Sequence, residues 1–213
     1  MHNGATKVKV CGLTQPADIA AVNSCKPAYI GFVFARESKR YIAPTQAAIL
    51  RQQLAAEIAA VGVFVNEPPE AVAALLNADV IDIAQLHGSE DETYIRQLRQ
   101  QTDKAIIKAF SVRGAQDIAA AEISSADYVL LDSGQGGTGT AFDWTLLHTM
   151  RRPYILAGGL QVNNVAAAVR QLHPYAVDVS SGVETDGVKD GEKIKQFVQM
   201  VRRENRLSGK DEE

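Results

Sequence analysis

Cys11 stands at the end of the first predicted strand of this chain, directly before Gly12, in the stretch KVKVCGLT. A free cysteine is commonly a small buried side chain that fills a gap in the core. The position of Cys11, where a strand gives way to a glycine-containing turn, also suits a reactive thiol, and both interpretations stay open. Cys25, the other cysteine, ends a helix-like segment and is interpreted as a core residue.

A carboxyl group and a glycine-rich loop follow a later strand. Asp132 closes the stretch ADYVLLD, and the residues after it include Gly134, Gly136, Gly137 and Gly139. An aspartate at such a point often only caps a turn. A connection between a strand and a helix usually needs about 2–6 residues, and this one is longer. So much glycine indicates a loop that moves or that approaches a ligand closely.

Small and hydroxyl side chains follow the last two predicted strands. The stretches LAGGL and DVSSGVE contain Gly158 and Gly159 after one strand, and Ser180, Ser181 and Gly182 after the next. Backbone N–H groups at such glycines can point at an anion, and serine hydroxyls add donors. Together the two stretches predict a phosphate site. Asp178 precedes Ser180 by two residues, so both side chains lie on one face of the strand.

Cationic and titratable side chains follow two other strands. Arg36, Lys39 and Arg40 lie in the stretch ARESKRYI, and His87 lies in QLHG. A run of charges is usually a solvated surface, and a histidine in a loop is often only a polar residue with satisfied hydrogen bonds. An arginine here could instead bind an anionic group through its planar fork of N–H donors.

Eight short apolar runs must position these side chains. We place strands near residues 6–11, 28–34, 59–65, 80–87, 104–110, 126–132, 153–158 and 175–180. The runs are nearly continuous, as expected for strands that are covered on both faces. Eight strand–helix repeats in about 200 residues predict a single-domain (β/α)8 TIM barrel, with an open doubly wound sheet as the alternative. In such a barrel the loops that follow the strands meet at one end.

Local signals predict the helices between the strands. Helical character is found at 45–57, 89–101, 162–172 and 191–204. Pro44, Pro69 and Ser89 provide start signals, the last of them with acidic residues in the following turn. The end of the chain, from about residue 203 to residue 213, is charged and poor in apolar residues, so we expect it to fray.

Composition argues against several classes of protein. The net charge of −3 over 213 residues disfavours a general nucleic-acid binder. The first residues lack the apolar core of a signal peptide, and no apolar run has the length of a membrane span. Two cysteines and four scattered histidines have no zinc-ligand spacing. We therefore expect a cytoplasmic, metal-independent globular protein.

The ordered motifs resemble those of the phosphoribosylanthranilate isomerases of tryptophan biosynthesis. The resemblance rests on KVCGLT, GFVF…SKRYI, VGVFVN, QLHG, LLDS…GGTGTAFDW, LAGGL…NV and DVSSGVE…GVKD, from residue 7 to about residue 195. It implies a single-domain (β/α)8 barrel without cofactor or metal. It also implies an Amadori rearrangement of a small phosphosugar, N-(5-phosphoribosyl)anthranilate, to an aminodeoxyribulose phosphate.

The resemblance also implies roles for individual residues. Asp132 would protonate the ring oxygen of the ribose, and Cys11, as a thiolate, would remove the proton from C2. A thiol with a pKa of about 8.5 and a carboxyl with a pKa of about 4 are both in the wrong state at neutral pH. Burial would have to raise the pKa of Asp132, and positive potential would have to lower that of Cys11. The other implied substrate contacts are Arg40, at the anthranilate carboxylate, and His87, Gly137 and Asp178.

Two departures and two alternative functions accompany the resemblance. Thr140 stands where the family often has lysine, and Val162 where it often has proline; Thr140 leaves open how the loop after Asp132 closes. One alternative is another aminoaldose isomerase of this barrel type, such as the related isomerase of histidine biosynthesis, which uses two aspartates. The other is a barrel without catalysis. The sequence does not fix the oligomeric state, and a monomer is favoured.

Overall fold

Eight parallel strands form a closed barrel in the computed structural model, which describes residues 4–132 and 144–208. The strands are β1 (Lys7–Cys11), β2 (Tyr29–Val33), β3 (Ala59–Phe64), β4 (Ile83–Leu86), β5 (Ala105–Ser111), β6 (Tyr128–Asp132), β7 (Tyr154–Ala157) and β8 (Ala176–Val179). Each strand pairs with the next one in chain order, and β8 closes the barrel on β1. The predicted barrel is confirmed, and every strand overlaps the run predicted for it.

Helices cover the outside of the barrel. They are α1 (Pro16–Cys25), α2 (Pro44–Arg51), α3 (Pro69–Asn77), α4 (Glu92–Arg99), α5 (Ala115–Ile123), α6 (Val165–Leu172) and α7 (Gly191–Ser208). Pro44 and Pro69 begin α2 and α3 as predicted, at a position where a backbone N–H has no partner within the helix. Within the described ranges, none of these helices combines the length and the apolar character that crossing a membrane requires.

The start of α4 differs from the prediction. Asp91, rather than Ser89, caps this helix, and its carboxylate accepts hydrogen bonds from the backbone N–H groups of Thr93 and Tyr94, both at 2.9 Å. Ser89 instead donates its hydroxyl and its backbone N–H to Asn66 Oδ1. A carboxylate is favoured at the cap because it also interacts with the positive end of the helix dipole.

The connection between β6 and β7 departs from the simple repeat. Residues Trp144–Thr149 form a 3-10 helix where the repeat predicts a full α-helix. Leu147 is buried and Trp144 packs against the core, so this short element covers the barrel at that position. The stretch 133–143, which contains Gly137 and Thr140, lies outside the described residues.

The last helix is longer than predicted. α7 continues to Ser208, and Val201 and Glu204 are buried along it. The Glu204 carboxylate accepts two hydrogen bonds from the guanidinium of Arg170 on α6. The expectation of a frayed end is therefore wrong for residues 203–208, because buried contacts hold them, while residues 209–213 lie outside the described part of the chain.

The interior of the barrel is packed in layers. Apolar side chains such as Val61 and Leu130 fill the middle layer, and burying each one stabilises the fold by roughly 1.5–3 kcal/mol. Cys11, Val33 and Val63 form a separate small layer nearer the carboxyl ends of the strands. The closely packed interior thus supports the loops at the carboxyl ends of the strands rigidly from below.

Candidate active site

A cavity of about 320 Å³ opens at the carboxyl ends of the barrel strands. Its walls include most of the predicted site residues, namely Cys11, Arg40, His87, Asp132, Gly158, Gly159, Asp178, Ser180 and Ser181. Gly182 lies next to this wall, and Gly137 is outside the described residues. Another cavity, of about 100 Å³ near Tyr154 and His173, lies at the opposite end of the barrel. The fold therefore brings the predicted residues together at the catalytic end of the barrel.

Cys11 ends β1 with its side chain buried in the wall of this cavity. The neighbouring strand makes room for the sulfur, because a Cβ atom at Gly31 would lie 2.6 Å from Cys11 Sγ. Burial raises the pKa of the Cys11 thiol, and the nearby charges of Lys9 and Lys189 only partly oppose this effect. The net shift of the Cys11 pKa is therefore upward, opposite to the expected lowering.

Lys9 lies two residues before Cys11 on β1 and is fully buried. Its ammonium group donates to both carboxylate oxygens of Asp178 on β8, each at 3.1 Å. Burial by itself would lower the pKa of Lys9, but Asp178 and Cys11 raise it, so the lysine is held in its charged form. A cation, an anion and a thiol therefore lie close together where β1 pairs with β8.

Asp132 and His87 face the cavity from β6 and from the end of β4. His87 Nε2 lies 3.6 Å from Asp132 Oδ2, and the other ring nitrogen, Nδ1, lies 2.9 Å from Gln85 Nε2. Gln85 is buried on β4, and its Oε1 atom has no hydrogen-bond partner among the described residues. A hydrogen bond between Gln85 and His87 and a longer contact between His87 and Asp132 therefore connect the polar groups on this side of the cavity.

Arg40 reaches the cavity over Gly12, whose φ of 84° and lack of a Cβ atom let the arginine chain pass. A Cβ atom there would lie 2.4 Å from Arg40 Cδ. The guanidinium binds Glu184 in a bidentate way, with Nε to Oε1 at 2.6 Å and Nη2 to Oε2 at 2.7 Å. The predicted carboxylate-binding fork therefore already holds a carboxylate of the protein itself.

Glu184 belongs to a short hairpin that follows β8, made of β9 (Glu184–Thr185) and β10 (Val188–Lys189). Lys189 on β10 donates to Glu184 and, at 3.0 Å, to the carbonyl oxygen of Ser180. Burial raises the pKa of Glu184, but Arg40 and Lys189 outweigh it, so the net pKa is lowered and the group is ionised. The hairpin thus contributes Glu184 and Lys189 to a network of ion pairs with Arg40 at the mouth of the cavity.

The loops after β7 and β8, where the sequence predicts a phosphate site, are in close contact with each other. Gly158 and Gly159 have φ values of 93° and 64°, which favour glycine. Gly182 packs directly on the other loop, since a Cβ atom there would lie 1.9 Å from the carbonyl oxygen of Leu160. The Ser180 hydroxyl donates to the Cys11 carbonyl oxygen at 3.1 Å, which ties this loop to β1.

Comparisons with known proteins identify the family of this chain. The chain matches the family model of N-(5'-phosphoribosyl)anthranilate (PRA) isomerase over residues 8–200. The chain belongs to this isomerase family. The N-(5'-phosphoribosyl)anthranilate isomerase of Endomicrobium trichonymphae is 45% identical over 200 residues, covering 92% of this chain and 98% of that protein. The isomerase of Clostridium acetobutylicum is 44% identical over 205 residues, with the same coverage.

Solved structures of the isomerase family share the barrel. The phosphoribosyl anthranilate isomerase of Thermotoga maritima is 36% identical, with a TM-score of 0.85 over 93% of this chain and 99% of that chain. A structure of the isomerase in complex with reduced 1-(o-carboxyphenylamino)-1-deoxyribulose 5-phosphate is 35% identical, with a TM-score of 0.83 and the same coverage. The present member of the family is therefore an enzyme, an isomerase built on a closed barrel.

Four residues of this isomerase's cavity region were missed by sequence reasoning: Lys9, Gln85, Glu184 and Lys189. Lys9 and Gln85 had a usable signal, since each is a polar residue inside an apolar strand, two residues before a predicted site residue. Glu184 and Lys189 lie in the stretches DVSSGVE and GVKD that support the family resemblance, but neither was assigned a role, because GVETDGVKD has the composition of an ordinary charged turn.

Proposed function

We propose that the cavity catalyses the Amadori rearrangement of N-(5-phosphoribosyl)anthranilate to 1-(2-carboxyphenylamino)-1-deoxyribulose 5-phosphate, in tryptophan biosynthesis, by general acid–base catalysis. The observation that carries this proposal is that a thiol on β1 and a carboxyl group on β6 line one cavity in a chain of this family. Opening the ribose ring requires an acid at its oxygen, and moving the C2 proton requires a base. Asp132 and Cys11 take these two roles.

The substrate lies across the cavity between its two charged ends. Its phosphate binds at the loops after β7 and β8, where Gly158, Gly159, Ser181 and Gly182 offer backbone donors. Its anthranilate ring packs against the apolar wall formed by Val33, Ala35 and Val63. Its carboxylate is bound by Arg40, for which it competes with Glu184.

The first chemical step opens the ribose ring. Asp132 donates its proton to the ring oxygen, and the bond between that oxygen and C1 breaks. The electron pair of the anthranilate nitrogen forms the C1–N double bond of a Schiff base. The carboxylate that remains on Asp132 is supported by His87, whose Nε2 lies 3.6 Å from Asp132 Oδ2.

The second step moves hydrogen between carbon atoms. The Cys11 thiolate removes the proton from C2, and the electrons of that bond flow to the Schiff base to give an enolamine. The enolamine gains a proton at C1 and loses the C2 hydroxyl proton, so the product is a ketone and an isomer of the substrate. Cys11 gives up the proton it took from C2, and Asp132 regains a proton, so both groups return to their starting states. Burial favours the neutral thiol of Cys11, so a neighbouring cation has to support the thiolate.

The test is an assay of anthranilate-linked fluorescence with substrate generated in the cuvette. The purified chain should cause a loss of this fluorescence, and the Cys11→Ala and Asp132→Asn variants should not. A folded wild-type chain that turns over no substrate, while a known isomerase does so in the same cuvette, would overturn the proposal.

Two further properties are proposed on narrower grounds. A cytoplasmic location suits Cys11 and Cys25, which are free thiols. A monomer is the predicted assembly, although the Thermotoga maritima isomerase is described as dimeric. Light scattering should give a mass near 23.0 kDa, and twice this mass would contradict the prediction.

A further inference from the structure

The charged pair beneath Cys11 is placed to act on its thiol. Residues i and i+2 of a strand face the same side, so Lys9 and Cys11 share the interior face of β1. Asp178 is the direct partner of Lys9 in the register between β1 and β8. The Lys9 side chain is 0% exposed and that of Asp178 10% exposed, and the latter borders the cavity. The positive charge of Lys9 lowers the pKa of the Cys11 thiol and so acts against the effect of burial.

Stability alone is a weak explanation for this pair. A buried ion pair contributes little compared with apolar side chains of similar size, because both charges lose their hydration. The barrel interior is otherwise filled largely by apolar side chains such as Val61 and Leu130. A charged pair on the same strand face as the thiol therefore points to a function at Cys11.

Other charged groups surround Cys11 from every neighbouring element. Lys189 on β10 and Arg40 after β2 are both engaged by the Glu184 carboxylate, which offsets their charge. Asp132 on β6 and His87 after β4 line the same cavity. Lys9 is thus a buried cation on the same strand face as the thiol, without a bond to Glu184 among those described, and Asp178 is the anion that counters it.

We propose that Lys9 and Asp178 are positioning residues that set the ionisation of Cys11 in opposite directions. This rests on the proposed role of Cys11 as the base. The Lys9 ammonium stabilises the thiolate, and the Asp178 carboxylate draws on the same ammonium and so favours the thiol. The proton of the thiol passes to water in the open cavity. When a substrate N–H or hydroxyl donates to Asp178, more of the Lys9 charge acts on the sulfur.

Alkylation of Cys11 by iodoacetamide measures this effect without any substrate. The chain has two cysteines, so a Cys25→Ala background leaves Cys11 as its single thiol. The thiolate attacks the reagent and displaces iodide, so the rate against pH gives the midpoint of ionisation. Lys9→Met should raise this midpoint and Asp178→Asn should lower it, each by about 1–3 pH units.

Opposite shifts separate this role from a structural one. Lost packing at the seam would alter both variants in the same direction or leave the midpoint unchanged, and either result would overturn the proposal. Lys9→Met leaves a buried carboxylate without its partner and can unfold the chain. The Lys9→Met/Asp178→Asn double variant removes both charges, and its midpoint should then lie above that of Asp178→Asn. A double-variant midpoint equal to or below it would equally overturn the proposal.

Turnover distinguishes this proposal from the proposed function. In the Cys25→Ala background, the acid limb of kcat/KM against pH should move in the same order as the alkylation midpoints. If no variant, nor the background itself, shows isomerase activity while the midpoints shift as expected, the reaction assignment fails and the Lys9 effect stands. If activity is intact and the midpoints do not move, only the Lys9 proposal fails.

Discussion

Charge around Cys11 is balanced instead of uniformly positive. Lys9 and Lys189 favour the thiolate, whereas burial and Asp178 favour the thiol. Since the thiolate is the form that oxidants and alkylating agents attack, burial and Asp178 protect Cys11 by favouring its thiol form. The acid limb of the activity profile should report the pH at which this balance changes.

Cys11→Ala should lower kcat by at least roughly 10²–10⁴-fold, because the variant lacks a group to accept the C2 proton. KM should stay near the wild-type value, since the phosphate and carboxylate contacts are untouched. Steady-state fluorescence kinetics give both constants. Cys25→Ala is the matched control, because Cys25 lies at the end of α1, and a kcat for Cys11→Ala equal to that of the control would remove Cys11 from the role of base.

Asp132→Asn should also lower kcat sharply, because an amide cannot deliver the proton that opens the ring. Asp79→Asn serves as the control, since the Asp79 side chain is 75% exposed and pairs with Lys104 far from the cavity. Single-turnover measurements at saturating substrate give the chemical step. A loss of less than about tenfold would mean that Asp132 supplies under ~1.4 kcal/mol and that the acid is another group.

Arg40→Ala should raise KM by the equivalent of roughly 1.5–3 kcal/mol, the value of a lost charged hydrogen bond. Because this change also leaves Glu184 without its bidentate partner, the Arg40→Ala/Glu184→Gln variant should be measured beside it. Arg36→Ala and Lys39→Ala are controls from the same loop. A substrate analogue without the carboxylate should bind equally well to Arg40→Ala and to the wild type. If the variant loses the same affinity for the analogue as for the substrate, Arg40 does not bind the carboxylate.

At the scale of elements, the loops after β7 and β8 depend on direct contact with each other. Gly182→Ala would place a Cβ atom 1.9 Å from the carbonyl oxygen of Leu160, so the two loops must move apart. We expect a higher KM for substrate and weaker competition by inorganic phosphate, with the barrel still folded by circular dichroism. Gly114→Ala is the control, because a Cβ atom there meets nothing within 4 Å. Unchanged phosphate inhibition in Gly182→Ala would separate this loop from phosphate binding.

At the scale of the whole molecule, the strands could be predicted because their apolar runs are nearly continuous and evenly spaced. The location of the site could then be predicted, because the carboxyl ends of the strands of a barrel meet at one end of it. The ion pairs could not be predicted, because Arg40 and Glu184 are 144 residues apart in the chain and meet only through loop geometry. The cap at Asp91 was missed because Ser89 and Asp91 are both good helix caps, and the difference in free energy between them is small.

The extent of α7 was also missed, since the sequence after residue 202 is mostly charged, although residues 203–208 lie on a packed helix. Two hydrogen bonds join Asn205 on α7 to the backbone of Thr6, at 3.0 and 2.9 Å, and so connect the last part of α7 to the residue before β1. Glu204 adds its buried ion pair with Arg170. A charged helix end that closes on the first strand therefore contributes to the stability of the barrel.

A chain that ends at Arg202 should accordingly be less stable than one that ends at Ser208. The two lost hydrogen bonds predict roughly 1–3 kcal/mol, at about 0.5–1.5 kcal/mol each, and the exposed position of Arg170 adds little. Urea unfolding followed by circular dichroism gives the free energy of unfolding of both variants and of the full chain. The chain that ends at Ser208 should match the full chain. Equal stability of all three would mean that residues 203–208 do not anchor α7 to β1.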